Sequence, residues 1–121
     1  MATSEDTLAF YLTVYHVAAQ CPKGRVTTYG HLAYVGGKPN NSRQVGQALK
    51  TMSRSPNVRY STVNVPWWRV INASGRISNV EHREEQRERL VAELGKEPPY
   101  SLPAVGWFPE PEDVDLDFES I

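Results

Sequence analysis

The side chains best suited to chemistry in this sequence stand together in Val65-Pro66-Trp67-Trp68-Arg69-Val70, followed by Ile71-Asn72. Two adjacent indoles and a guanidinium offer flat faces, N–H donors and a fixed positive charge. They can hold a flat ligand by stacking. They cannot accept an electrophile, because an indole has no lone pair suited to attack and no titration near neutral pH. The same pair also suits a core strand, so residue types alone leave pocket and strand equally open. The one thiol, Cys21, lies in the turn Cys21-Pro22-Lys23-Gly24. A thiolate is a nucleophile, yet no motif places a histidine beside it. His16 reads as a surface or packing residue of a helix. No second His or Cys stands at ligand spacing, so neither a metal nor another cofactor is expected.

Charge indicates what such a segment meets. From Thr7 to Val80 there is no Asp or Glu, while Lys23, Arg25, Lys38, Arg43, Lys50, Arg54, Arg59, Arg69 and Arg76 fall in that span. From Pro109 to Ile121 there are six acidic residues and no basic one. The net charge of −1 therefore conceals a formal +5 over residues 1–108. An acid-free span of this length points to a surface that meets phosphate. The chain of 121 residues suffices for one core. No apolar run approaches ~18 residues, so no membrane partner is expected. The polar start Met1-Ala2-Thr3-Ser4-Glu5-Asp6 is unlike a signal peptide, and a single cysteine cannot form an internal disulfide. An intracellular setting is expected, nuclear in a eukaryote.

Several elements must position these residues. Residues 5–20 read as an amphipathic helix, with Ser4 at the N-cap and Leu8, Tyr11, Leu12, Tyr15 and Ala19 at helical spacing. Thr27 or Thr28 caps a second helix through Val35, and Gly36-Gly37-Lys38-Pro39 turns the chain. Asn41 or Ser42 caps a third helix over 43–53, buried through Val45, Ala48, Leu49 and Met52, with Gly46 allowing close contact. Two short helices joined by a glycine turn form a helix-turn-helix pattern. Asn64–Ile71 reads as a strand, Asn72–Gly75 as a turn and Arg76–Ser78 as the return, together a wing. Residues 81–94 read as a charged helix with a solvated face, anchored by Leu90 and Leu94, and Tyr100–Phe108 as an extended segment. The expected fold is mainly α with a small β element: one winged helix-turn-helix domain over 1–108, then an acidic, disordered tail over 109–121.

Three blocks in order carry a resemblance: Pro22-Lys-Gly-Arg-Val-Thr-Thr-Tyr29-Gly30, Ser42-Arg43-Gln-Val-Gly-Gln-Ala-Leu49, and Val65-Pro-Trp-Trp-Arg-Val-Ile-Asn72 with Gly75 following. From about Tyr11 to Gly95 the chain resembles the alkyltransferase-like family, relatives of the O6-alkylguanine-DNA alkyltransferases. The resemblance implies that Trp67 stands at the family's acceptor cysteine and Trp68 at the histidine that activates it. It implies that Tyr29 helps rotate the 3′ phosphate of a flipped nucleotide. Arg43 then fills the vacated stack from the minor groove. Read singly, Tyr29 is more readily a core tyrosine and Arg43 a phosphate contact; the three blocks together favour the functional roles. Leu49, Val65, Pro66 and the carbonyls near Trp67 and Val70 line the implied pocket, with Ser42, Gly46 and Gly75 in the same DNA-binding surface. Glu93 matches a glutamate that polarises the family's histidine.

The function so implied is binding of O6-alkylguanine in double-stranded DNA by base flipping, without alkyl transfer. The lesion is flagged for nucleotide excision repair proteins, and a monomer is expected. Two alternatives are an active alkyltransferase using Cys21 and a winged-helix transcription regulator reading base edges. The second calls for long polar side chains on a helix whose run Gln44-Val45-Gly46-Gln47-Ala48 is small and smooth.

Overall fold

The computed structural model describes residues 4–118, and expectations for 1–3 and 119–121 lie outside them. Helix α1 (Glu5–Ala18) starts where Ser4 Oγ accepts the Thr7 N–H at 3.1 Å. Its buried stripe is Phe10, Val14, Val17 and Ala18, whereas Leu8 is half exposed. Of the expected stripe, Tyr15 is buried and Tyr11 and Leu12 pack partly against the core, while Leu8 and Ala19 are exposed, so the buried face is rotated toward Phe10, Val14 and Val17, which satisfy the same spacing. Strand β1 (Thr27–Thr28) leads into α2 (Tyr29–Val35), which Thr28 caps by accepting the His31 N–H at 3.1 Å. Helix α3 (Ser42–Lys50) buries Val45 and Ala48 against α1 and α2. Asn41 does not cap it through its side chain, which donates to Gln44 instead.

The strand expected over 64–71 is mostly a tight turn. Pro66 has no N–H to give a ladder, and Trp67–Arg69 forms a single 3₁₀ turn in which the Arg69 N–H reaches Pro66 O at 3.0 Å. Only Val70–Ile71 is strand (β2), and it pairs in parallel with β1, Thr27 against Val70 and Thr28 against Ile71. The wing beyond it is closed by a side chain. Asn72 Oδ1 accepts the N–H groups of Ser74 and Arg76, alongside backbone bonds from Asn72 N–H to Arg76 O and from Gly75 N–H to Asn72 O. The architecture is mainly helical with this two-stranded sheet, a winged helix-turn-helix.

Helix α4 (Arg83–Leu94) pairs Arg87 with Glu84 and Arg89 with Glu85 along its surface, and inward it buries Leu90 and Gln86. Gln86 Nε2 donates to the carbonyls of Trp68 and Val70, at 3.1 and 2.9 Å, and so holds α4 to the 3₁₀ turn. The segment expected to be extended contains a short helix α5 (Leu102–Val105), and backbone bonds from Val26 N–H to Val105 O and from Trp107 N–H to Val26 O fix its C-terminal end against the chain before β1. Residues 109–118, expected to be disordered from composition, instead run along α2 and the end of α1. His31 Nε2 lies 2.7 Å from Pro109 O, the Tyr34 hydroxyl donates to Glu110 at 2.6 Å, and Gln20 exchanges two bonds with the Asp115 backbone. Composition missed this because the anchors are backbone carbonyls and partners far away in sequence. Among the described residues no helix is long and apolar enough to cross a membrane.

Gly75 is a structural pivot. Its φ is +80°, and a Cβ there would lie 2.1 Å from the Tyr100 carbonyl oxygen. Gly75→Ala should therefore cost at least about 2 kcal/mol, from left-handed strain and a backbone clash together. The check is a lowered urea midpoint at unchanged slope.

Candidate nucleic-acid interface

Helix α3, the segment around Thr62–Trp67, the loop 78–82 and the first half of α4 enclose a cleft of about 900 Å³. Six of the site residues expected from sequence line it: Tyr29, Ser42, Arg43, Gly46, Leu49 and Trp67. Val65, Pro66 and Val70 do not; they are buried beneath, and Val65 and Val70 join the core with Val14 and Val45. Gly75 does not line it either, being spent on the contact with Tyr100. The α4 side of the cleft, including Ser78, Asn79, His82, Glu85 and Arg89, was missed. Its charge spacing is that of a solvated helix, and nothing local says which residues meet α3.

Trp67 is half-buried at the cleft floor. The Trp68 ring stands edge-on to it, with centroids 6.0 Å apart at 89°, and His82 lies 6.0 Å away on another side. The Arg89 guanidinium is 5.9 Å from the Trp67 ring. Arg43 opens α3, is exposed, and makes no hydrogen bond or ion pair among the described residues. Other cleft cations are engaged: Lys50 with Glu81 at 3.6 Å, and Arg54 with His82 Nε2 at 3.1 Å. Since Arg54 can only donate, His82 Nε2 accepts and its N–H is on Nδ1. Tyr29 rests against Gly46, where a Cβ would be 3.9 Å from the tyrosine ring. Burial holds the Tyr29 phenol above its usual range, partly offset by a hydrogen bond with Ser78, so it stays a neutral donor.

Beneath the floor, the glutamate implied by the resemblance is occupied. Glu93 Oε2 accepts the Trp68 indole N–H at 2.9 Å. Arg69 grips the same carboxylate with Nε to Oε1 at 2.9 Å and Nη2 to Oε2 at 2.7 Å, and its Nη1 reaches Cys21 O at 2.9 Å. Cys21 lies in this layer and does not line the cleft; it is 2% exposed, and burial pushes its thiol up to about 12. It is protonated and inert at neutral pH.

A winged helix-turn-helix whose α3 flanks a cleft with an indole floor and a ring of cations defines a DNA-binding domain. A family model of the 6-O-methylguanine DNA methyltransferase DNA-binding domain matches residues 9–95. The chain is 39% identical over 87 residues to alkyltransferase-like protein 1 of Schizosaccharomyces pombe, spanning 69% of this chain and 74% of that one. It is 36% identical over 85 residues to a DNA base-flipping protein of Vibrio parahaemolyticus, spanning 69% and 78%. The chain belongs to the alkyltransferase-like family. Its structure superposes on S. pombe Atl1, solved in complex with damaged DNA containing O6-carboxymethylguanine, with a TM-score of 0.68 at 35% identity, covering 90% of this chain and 100% of that one. The O6-methylguanine methyltransferase of Mycobacterium tuberculosis shares the fold at a TM-score of 0.55 and 23% identity, covering 85% and 56%.

Burial alone would raise the Glu93 carboxyl, but its bonds to Arg69 and Trp68 outweigh that and hold it below its ordinary value of 4.5. A lowered folded value means stability that is fully present above pH 4.5 and lost as pH falls through that lower value. Glu93→Gln should remove this acid-limb dependence and cost on the order of 3 kcal/mol at pH 7, because Arg69 keeps its buried charge without its partner. Urea titrations at pH 3 to 7 on both proteins check it.

Proposed function

We propose that this protein binds double-stranded DNA carrying an O6-alkylguanine, turns the damaged nucleotide out of the stack into the cleft over Trp67, and transfers no alkyl group. The observation that supports this reading is the cleft floor: it is an indole, at the position the resemblance assigns to the acceptor cysteine, and the chain's one thiol lies outside the cleft with its proton held. An alkyl group on guanine therefore finds a flat surface and no nucleophile.

The division of labour follows from position. Arg43 at the exposed start of α3 is free to enter the stack and fill the gap, and a stacked, hydrogen-bonded guanidinium recovers part of the few kcal/mol that extrusion costs. Tyr29, a neutral donor beside Gly46, turns the phosphate next to the extruded nucleotide. Trp67 meets only the base once it is out. With no alkyl acceptor in the cleft, the lesion must be removed by other proteins. Nucleotide excision repair, working from a single bound protein as the flag, is the route the family resemblance implies. The unpaired Arg43 and the small face around Gly46 suit this reading better than base-edge readout in the major groove.

Label on the methyl group of O6-methylguanine DNA should remain on the DNA; stoichiometric label on protein ends the proposal. Arg43→Ala and Tyr29→Ala should impair extrusion, read by a fluorescent base analogue at the lesion. Trp67→Ala should instead lose lesion preference by roughly tenfold to hundredfold in competition with undamaged duplex, as expected for ~1–3 kcal/mol of lost base–aromatic contact.

A further inference from the structure

Arg89 stands apart from the other cations of the cleft. Its guanidinium carbon lies 4.5 Å from the Trp68 ring centroid and 5.9 Å from that of Trp67, so it bridges the two indoles at the edge of the floor. Trp68 cannot swing away, because its indole N–H is bound to Glu93 and Arg69 approaches it at 5.3 Å. The guanidinium is therefore held by aromatic contact, which does not consume its donors. Of its five N–H groups, one reaches an acceptor, Glu85 Oε2 at 3.1 Å. Arg89 and Glu85 are 44% and 47% exposed, and such a pair contributes little and exchanges readily. Lys50 and Arg54 are paired further along the wall, and Arg43 belongs to the start of α3.

We propose that Arg89 is a specificity-determining residue: its guanidinium, fixed over the paired indoles, favours O6 substituents that end in a carboxylate over neutral substituents of the same shape. This rests on the function proposed above, which brings the O6 position against Trp67. A carboxylate arriving there meets a planar donor fork that is already oriented, so little is lost in ordering it. Glu85 competes for the same fork and tempers the preference. A neutral branched alkyl group of equal size gains the stacking surface alone.

The test uses the full chain and three duplexes that differ at one position: O6-carboxymethylguanine, O6-isobutylguanine and guanine. The two lesions present nearly the same shape with and without charge. Wild type should bind the carboxymethyl duplex about tenfold more tightly than the isobutyl duplex. Arg89→Gln should bring that ratio close to one, chiefly by weakening the carboxymethyl complex, and Glu85→Gln should widen it by about threefold. Thermal melts of each variant establish that the fold is intact. A ratio unchanged by Arg89→Gln overturns the proposal. So does an equal loss on all three duplexes, which marks a phosphate contact. A wild type that prefers both lesions to guanine, but equally, removes the role of Arg89 and leaves the underlying reading standing. A wild type that prefers neither removes both.

Discussion

The carboxylate of Glu93 is the constraint on which the cleft depends. Its side chain is only 10% exposed, and a buried charge is tolerated only when paired and fully hydrogen-bonded. Arg69 and Trp68 on the 3₁₀ turn meet it, and the Gly24 N–H approaches at 3.4 Å from the turn after α1. One group from α4 therefore ties together three segments far apart in sequence. Once Trp68 is fixed, the adjacent Trp67 has little choice, since a tight turn sends successive side chains in different directions. The perpendicular indoles follow, and so does a floor that presents one ring to the cleft and keeps the other as support. Gln86, about two turns earlier on α4, repeats the tie with neutral bonds to the carbonyls of Trp68 and Val70.

Much of this was legible in the sequence. Ser4 and Thr28 cap where short polar side chains before apolar periodicity say they should, and the helix-turn-helix follows from two such starts and a glycine turn. The three-block resemblance located the α3 wall and Trp67. The opposite wall was not legible. Residues 78–89 reach the cleft through long-range packing, and alternating charge along a helix looks the same whether it faces water or a partner element. Gly75 shows a second kind of blindness. A glycine in a matching block reads as part of the binding surface, while its positive φ and the Tyr100 carbonyl give it a folding role. The strand over 64–71 failed for a local reason: a β-branched run outweighed Pro66, which ends the ladder and permits the turn.

The charge asymmetry also acquires a layout. None of residues 109–118 lines the cleft; over α1 and α2, His16 meets Asp115 and Tyr34 meets Glu110, while Arg59 donates to the Phe118 carbonyl. The basic span is thus left open on the cleft side and screened on the other. A polyanion approaching this molecule is drawn toward one face.

The segment that provides this screening closes the longest hydrogen-bonded loop among the described residues. Gln20 and Asp115 are 95 residues apart, and the two bonds between them form only after everything between has been made. Loop-closure entropy must be met before such a contact returns anything. On a ribosome the helix-turn-helix can assemble while the strap is still being synthesised, so the strap docks onto a finished surface. In the mature molecule it is held by few side-chain anchors, Gln20, His31 and Tyr34 among them, so it is placed to open without disturbing the core. None of these anchors touches the two-indole floor or its buried glutamate, so such an opening leaves both closed.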